Sequence, residues 1–258
     1  MSNISKAFAN GTAFIGFVTG GDPTLAASEE FILQMAAAGA DIIEIGIPFS
    51  DPIAEGPVIQ AANLRALGAG ATVESMFALV ANVRKKIATP LVFLTYLNPV
   101  LHYGYEAFFA HCEAVELDGI IIPDLPFEEQ GELRDITRAH GVDLISLVAP
   151  TSAQRVAQIA AQAQGFLYIV SSMGVTGVRS KIATDLAEIV RNIRAATALP
   201  AAVGFGLHST AQAREIAQFA DGVIVGSAIV KICEQHGAAA GPHLYTYVKE
   251  MKTACSFS

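Results

Sequence analysis

Residues 41–57 read Asp41-Ile-Ile-Glu-Ile-Gly-Ile47 and then Pro48-Phe-Ser-Asp-Pro-Ile-Ala-Glu-Gly-Pro57. The first seven form a short β-branched run in which Glu44 sits among isoleucines and a single glycine. A continuous apolar run, rather than an alternating one, suits a parallel strand covered on both faces. The run passes at once into a loop with two further acids, Asp51 and Glu55. A charged group inside a buried strand is costly unless it is paired or used. Two readings follow. Glu44 and Glu55 converge for proton transfer, or Glu44 pairs with a buried cation and Asp51 and Glu55 are turn acids.

Seven more runs of this kind occupy 13–19, 91–96, 119–122, 143–148, 166–170, 201–205 and 222–225. Between them, 25–38, 76–87, 128–139, 153–162, 186–196 and 210–219 carry apolar residues at three- and four-residue spacing, which predicts amphipathic helices. Gly39, Gly141 and Gly165 follow predicted helices as C-caps. Eight strands alternating with helices over 258 residues predict a closed (β/α)8 barrel, α/β in class, with an extra N-terminal helix. The competitor is an open doubly wound sheet, but Thr19-Gly-Gly-Asp22 after the first strand does not fit its glycine fingerprint. No linker or low-complexity stretch divides the chain, so residues 1–258 read as a single domain.

Hydrophobic residues make up 52% of the chain and charged residues 16%, enough apolar material for a large core. A formal net charge of −8 without a Lys/Arg cluster argues against nucleic acid, though not against a small anion held by backbone amides. The cysteines, Cys112, Cys233 and Cys255, are odd in number and far apart, and no Cys/His metal spacing occurs. With no signal-peptide core and no membrane-length apolar run, the expectation is a soluble, reduced, cytoplasmic protein.

Barrel active sites lie at the C-terminal ends of the strands. Two loops there exceed the usual length, 48–57 after strand two and Ser171–Ala183 after strand six, the latter with Gly174 and Gly177 as a lid pattern. Gly204-Phe-Gly206 and Val225-Gly-Ser-Ala-Ile-Val-Lys231 sit where strands seven and eight end, with a helix opening at Gly226-Ser227. With Gly177 they predict a phosphate cradle. Tyr168 lies within strand six, either as a site residue or as a core tyrosine bonded to a backbone carbonyl. Asp124 reads as a turn or capping acid. The six histidines read as structural or exposed.

Taken together, the segment 44–60 with its Pro-Phe-Ser-Asp-Pro core, Ile122-Pro-Asp-Leu-Pro126, Tyr168 with Gly174-Val-Thr-Gly177, Gly204-Phe-Gly206 and 225–231 resemble the tryptophan synthase α-subunit family over nearly the whole chain. The resemblance implies a carbon–carbon lyase that cleaves indole-3-glycerol phosphate to indole and glyceraldehyde 3-phosphate. Indole then passes to a pyridoxal-phosphate β subunit in an α2β2 complex, for L-tryptophan synthesis, with no cofactor or metal in this chain. By position it makes Glu44 the general acid/base, Glu55 the carboxylate facing the indole nitrogen, and Tyr168 the active-site tyrosine. Gly177, Gly206, Gly226 and Ser227 match the phosphate cradle. Phe17, Ile59, Leu94, Tyr96, Ile121, Thr176 and Phe205 match the indole pocket and lid, and Asp51, Pro52, Asn98 and Pro126 match the face toward the β subunit.

One position departs from the family. Glu55 stands where the family has an aspartate, one methylene shorter, and the stretch after Gly177 (Val178-Arg-Ser-Lys181) is also atypical. Three other functions stay in play on the residues: a stand-alone lyase that releases indole, a weakly catalytic ligand-binding activator of the β subunit, and another phosphate-binding barrel, such as an isomerase of the same pathway. The strand-two acid pair argues against the last.

Overall fold

The structure is a computed structural model describing residues 3–149, 153–170, 179–204 and 206–256. Among the described residues, eight parallel strands close into a barrel in sequence order: β1 (Ala13–Thr19), β2 (Ile42–Gly46), β3 (Leu91–Leu94), β4 (Gly119–Ile121), β5 (Asp143–Val148), β6 (Leu167–Val170), β7 (Ala201–Gly204) and β8 (Gly222–Val225). The expected closed barrel is therefore the fold. The open-sheet alternative fails on the pairing of β1 with β8, in register from Ala13 opposite Gly222 to Gly16 opposite Val225.

The helices are α1 (Ile4–Ala7), α2 (Leu25–Ala37), α3 (Pro57–Gly68), α4 (Val73–Arg84), α5 (Leu97–Tyr103), α6 (Tyr105–Ala114), α7 (Gly131–Ala139), α8 (Ala153–Ala160), α9 (Arg179–Ala196), α10 (Thr210–Ala217), α11 (Ser227–His236) and α12 (Gly241–Cys255). Alternation along each strand divides the apolar residues into two sets. Phe14, Ile43, Ile45, Phe93 and Ile120 join the helices in the outer core, whereas Ile15, Ile42, Val92, Ile121, Ile145, Ala202 and Ile224 fill the barrel itself. No single helix among the described residues is long and apolar enough to cross a membrane.

The N-terminal end of the barrel is closed and braced. Ile4 of α1, fully buried, packs with the inner set, and Phe8 stacks toward Phe166 with ring centroids 5.7 Å apart. Four acceptors placed just ahead of the even strands each take a backbone N–H at the start of the preceding odd strand. Asp41 accepts from Phe14 at 2.6 Å, Asp118 from Leu91 at 2.9 Å, Gln164 from Leu144 at 3.1 Å and Asp221 from Ala201 at 2.9 Å. Asp118, buried, also binds the Arg84 guanidinium at 2.7 Å and the Asn3 amide at 3.1 Å, which ties the segment before α1 beneath the barrel.

Element boundaries follow the sequence reading with a few corrections. Arg179–Ala183, read as loop, open α9, whose eighteen residues start well before the expected 186. Helix α4 begins at Val73, ahead of 76, because Thr72 and Ser75 form a reciprocal cap. Helices α3, α5, α6 and α12 lie in stretches where no helix was predicted; in α3, α5 and α6 few positions are buried, whereas α12 buries Leu244, Val248, Met251 and Cys255 at three- and four-residue spacing, a periodic signal present in the sequence. Gly39, Gly141 and Gly165 all have positive φ, as the C-cap reading requires. The cysteines are free and buried.

Replacing Asp118 by Ala would leave the Arg84 guanidinium and the Leu91 N–H without their acceptor in a buried site. The expected cost is about 3 kcal/mol of unfolding free energy. Urea unfolding of the Asp118→Ala chain, compared with wild type, checks this; an unchanged midpoint would contradict the bracing role.

Candidate active site

At the opposite, C-terminal end of the strands the barrel opens into a cavity of about 840 Å³. Its floor and walls come from every strand or strand end: Phe17, Glu44, Leu94, Ile121, Leu147, Tyr168, Gly204 and Ile224 among them. Side-chain alternation explains the choice. Phe17 and Glu44 are register partners on β1 and β2, and Glu44 faces Val92 of β3, so all three point inward.

Glu44 is 1% exposed, and its Oε1 has no hydrogen-bond partner. No cation among the described residues lies within ion-pair distance of it. The reading in which Glu44 pairs with a buried cation is thereby overturned. Burial without a counter-charge disfavours the ionised form, and the carboxyl is pushed up to about 8. Glu44 is consequently a neutral acid at pH 7.

Glu55 lies half-buried in the loop leading to α3 and lines the same cavity. Burial raises its carboxyl too, but a hydrogen bond from Asn63 Nδ2 to Oε2, 2.6 Å long, opposes the shift. The loop itself is held from two sides. Gln60 donates to the Glu55 carbonyl at 2.8 Å, and the Ala54 N–H donates to the Tyr96 hydroxyl at 3.1 Å. Tyr96 is buried and its phenol is pushed up to about 12, chiefly by desolvation and then by the charges of Glu55 and Asp124. Asp124 accepts from Leu97 N–H at 2.9 Å at the start of α5, which confirms it as a capping acid.

Tyr168 is half-buried and its phenol lies well above its usual range, through burial first and the nearby Glu44 charge second. Its hydroxyl donates to no backbone carbonyl among the described residues, so the core-tyrosine alternative finds no partner there. A side chain at Gly204 would collide with the Tyr168 ring, so glycine there makes room for it. Likewise a Cβ on Gly46 would lie 2.7 Å from the Phe17 ring.

On the far wall, Gly206 has φ +45° with open space beside it, and α11 starts at Gly226-Ser227 with no side chain capping it. The uncapped amides of a ten-residue helix facing a cavity suit an anion. The structure therefore brings together Phe17, Glu44, Glu55, Ile59, Leu94, Ile121, Tyr168, Gly206, Gly226 and Ser227 as expected. Thr176, Gly177 and Phe205, with the lid stretch 171–178, lie outside the described residues. Tyr96 is corrected: it does not line the cavity but holds the loop behind it, because its hydroxyl reaches Ala54. Sequence reasoning missed Pro123, Leu147, Ala149, Val170, Leu207 and Asn63. The first five are apolar residues near strand ends with nothing to mark them, and Asn63 stands out only once α3 shows it between Ala62 and Ala66 on the buried face.

Asp51, Asn98 and Pro126 are exposed and Pro52 half-buried, all on loops or helix starts at this same end. Beside them stand two apolar side chains open to solvent, Ile53 at 80% and Leu101 at 57% exposure. Among the described residues, no cluster of three or more His, Cys, Asp or Glu is placed to hold a metal ion.

Residues 4–256 match the family model described as tryptophan synthase alpha chain. The tryptophan synthase alpha chain of Lactiplantibacillus plantarum is 51% identical over 255 residues, covering 98% of this chain and 96% of that one. Among solved structures, the alpha chain from Legionella pneumophila subsp. pneumophila superposes with a TM-score of 0.89 at 33% identity, covering 99% of this chain and 97% of that one. The Pyrococcus furiosus tryptophan synthase α2β2 complex gives a TM-score of 0.87 at 36% identity over 93% of this chain and 98% of that one.

The Glu44 carboxyl carries a testable energetic signature. Its folded value of about 8 exceeds the ordinary 4.5, so the wild type loses stability as pH rises from 4.5 through 8, when the buried group is driven to ionise. Glu44→Gln removes that penalty. The variant is expected to match wild type in unfolding free energy near pH 4 and to exceed it by a few kcal/mol at pH 9. Denaturant unfolding at both pH values reads the difference, and an equal gap at both would contradict a neutral Glu44.

Proposed function

The chain belongs to the tryptophan synthase alpha chain family, and on that premise we propose how its cavity cleaves indole-3-glycerol phosphate. The chain is a lyase that yields indole and glyceraldehyde 3-phosphate in tryptophan biosynthesis. The observation that carries the residue assignment is a neutral, unpartnered Glu44 carboxyl in an apolar cavity that also holds a second carboxylate and an uncapped helix start.

The substrate phosphate sits at the start of α11, against the amides of Gly226 and Ser227 and beside Gly206. Its indole ring lies among Phe17, Ile59, Leu94 and Ile121. Family membership assigns Gly177 to the phosphate and Thr176 and Phe205 to the pocket, all three outside the described residues. Glu44 gives its proton to indole C3, which turns the ring into an iminium and an electron sink. The Glu55 carboxylate stabilises the positive charge at the ring nitrogen. The bond between C3 and the glycerol carbon then breaks, its electron pair returns to the ring, and the hydroxyl on that carbon becomes the aldehyde. The hydroxyl proton goes to the Glu44 carboxylate, which restores the acid, so each turnover is balanced. Tyr168, a neutral phenol at any physiological pH, packs across the cavity from Glu44 and completes the wall.

This cycle assigns no cofactor or metal to this chain; pyridoxal phosphate belongs to the β partner. The whole chain, 1–258, works as one barrel domain in the cytoplasm, in an α2β2 assembly. Its docking face carries Asp51, Pro52, Asn98 and Pro126, and the exposed Ile53 and Leu101 beside them supply the apolar area such a contact needs.

Indole release from indole-3-glycerol phosphate, measured with and without a β subunit, tests the reading. Wild type is expected to release indole, faster with partner, while Glu44→Gln and Glu55→Ala fall by a hundredfold or more on the general scale of lost acid–base groups, about 10²–10⁴. The acid form of Glu44 is present below about pH 8 and the carboxylate of Glu55 above its own raised value. The kcat/KM profile is therefore bell-shaped with its alkaline limb near 8. Absence of indole from wild type with partner present would sink the lyase assignment in favour of a ligand-binding activator.

A further inference from the structure

Helix α3 turns the face Ala62, Asn63, Ala66 toward the barrel. Alanines are small and apolar there, and Asn63 between them is 2% exposed. A buried amide costs free energy unless it is hydrogen bonded, so an asparagine at this position needs a partner. Its partner is the Glu55 carboxylate, at 2.6 Å to Oε2. Among the described residues, no other side chain or backbone group hydrogen bonds that carboxylate. Helix α3 is in turn fixed two residues on, where Arg65 forks onto Asp22 at 2.9 and 2.8 Å and reaches Glu234 of α11 at 3.1 Å. The amide that meets Glu55 is thus mounted on a clamped element.

We propose that Asn63 is a positioning residue: it holds the Glu55 carboxylate ionised and aimed into the cavity, and the extra methylene of glutamate over aspartate is what lets that carboxylate reach it. The inference rests on the lyase reading, since it names what Glu55 needs in order to serve there. An ionised carboxylate can only accept, so the amide must present its NH₂, and that donation favours the charged form. The titratable and charged groups around Glu55 do not supply this help. Tyr96 on the β3 side is a neutral phenol, Asp124 at the end of β4 is a like charge, and Glu44 and Tyr168 in the same cavity are neutral acids at pH 7. Arg65, the nearest cation along α3, is committed to Asp22 and Glu234. Among the described residues, Asn63 is the one side chain that donates to that carboxylate.

Two variants test this in the full-length chain. Asn63→Leu removes the donor at similar volume, and Asn63→Asp keeps the shape but sets an acceptor against the carboxylate. The Glu55 side-chain carbon, followed by carbon-13 NMR against pH, is expected to titrate about one unit higher in Asn63→Leu and higher still in Asn63→Asp. The acid limb of kcat/KM for indole release moves up by the same steps, while the alkaline limb set by Glu44 stays in place. A merely structural role would lower activity equally at every pH and leave the titration where it was. Should Asn63→Leu fail to fold, the isosteric Asn63→Asp carries the test. Glu55 titrating alike in all folded chains, with wild type releasing indole, overturns the inference alone. A wild type that shows the titration steps but releases no indole overturns the lyase reading and leaves only the Glu55–Asn63 tie.

Discussion

Everything at the open end of this barrel depends on one arrangement, a carboxyl group placed inside an apolar barrel with no counter-ion among the described residues. An ionised glutamate there would cost the fold a few kcal/mol, so at neutral pH Glu44 keeps its proton instead. That is the state a general acid needs at neutral pH. Ile42, on the same inner face of β2, and Phe17, Val92 and Leu94 on the neighbouring strands supply the low dielectric around Glu44. The environment also separates the two acids by role. Burial raises the Glu55 carboxyl as well, but that side chain is only half-buried and the Asn63 donor opposes the shift, whereas Glu44, fully buried and without a partner among the described residues, is held neutral.

The two ends of the barrel divide their tasks. At the N-terminal end, polar side chains brace the barrel: Asp41, Asp118, Gln164 and Asp221 each close the start of a neighbouring strand, and α1 fills the opening. At the C-terminal end, polar groups are left unsatisfied where a ligand can meet them: the Glu44 oxygen and the first amides of α11. The braced lower half supports the open upper half, and such support is what keeps catalytic groups within a fraction of an ångström of their working geometry. Glycines serve the same end. Gly46 and Gly204 leave the space into which Phe17 and Tyr168 pack, so the cavity is shaped as much by absent side chains as by present ones.

Most of the barrel was readable because its strands are continuous apolar runs and its regular helices are amphipathic. The exceptions have physical causes. The short helices α5 and α6 are fixed by tertiary contacts such as the Asp124 cap, which joins residues 27 apart in sequence and leaves no local pattern. The start of α9 is polar and carries no periodic signal. In the site, Glu44 and Glu55 stood out as charges in the wrong surroundings, and the glycine pairs as backbone meant for close approach. Tyr96 was assigned to the pocket wall, yet its hydroxyl acts one layer behind, on Ala54; sequence position cannot distinguish a side chain that lines a cavity from one that braces its loop. The four acceptors beneath the barrel were invisible for a similar reason, since an aspartate before a strand is an ordinary turn residue until its neighbour is known.

The most direct test is to watch the Glu44 proton itself. Infrared difference spectra between wild type and Glu44→Gln, recorded from pH 5 to 10, isolate the carbonyl stretch of this one carboxyl. A protonated-acid band present at pH 7 and lost through about pH 8 is what burial without a counter-ion predicts. A carboxylate band already complete at pH 6 would mean that Glu44 is ionised in the folded protein, and the account of this site as an acid poised in an apolar barrel would fall.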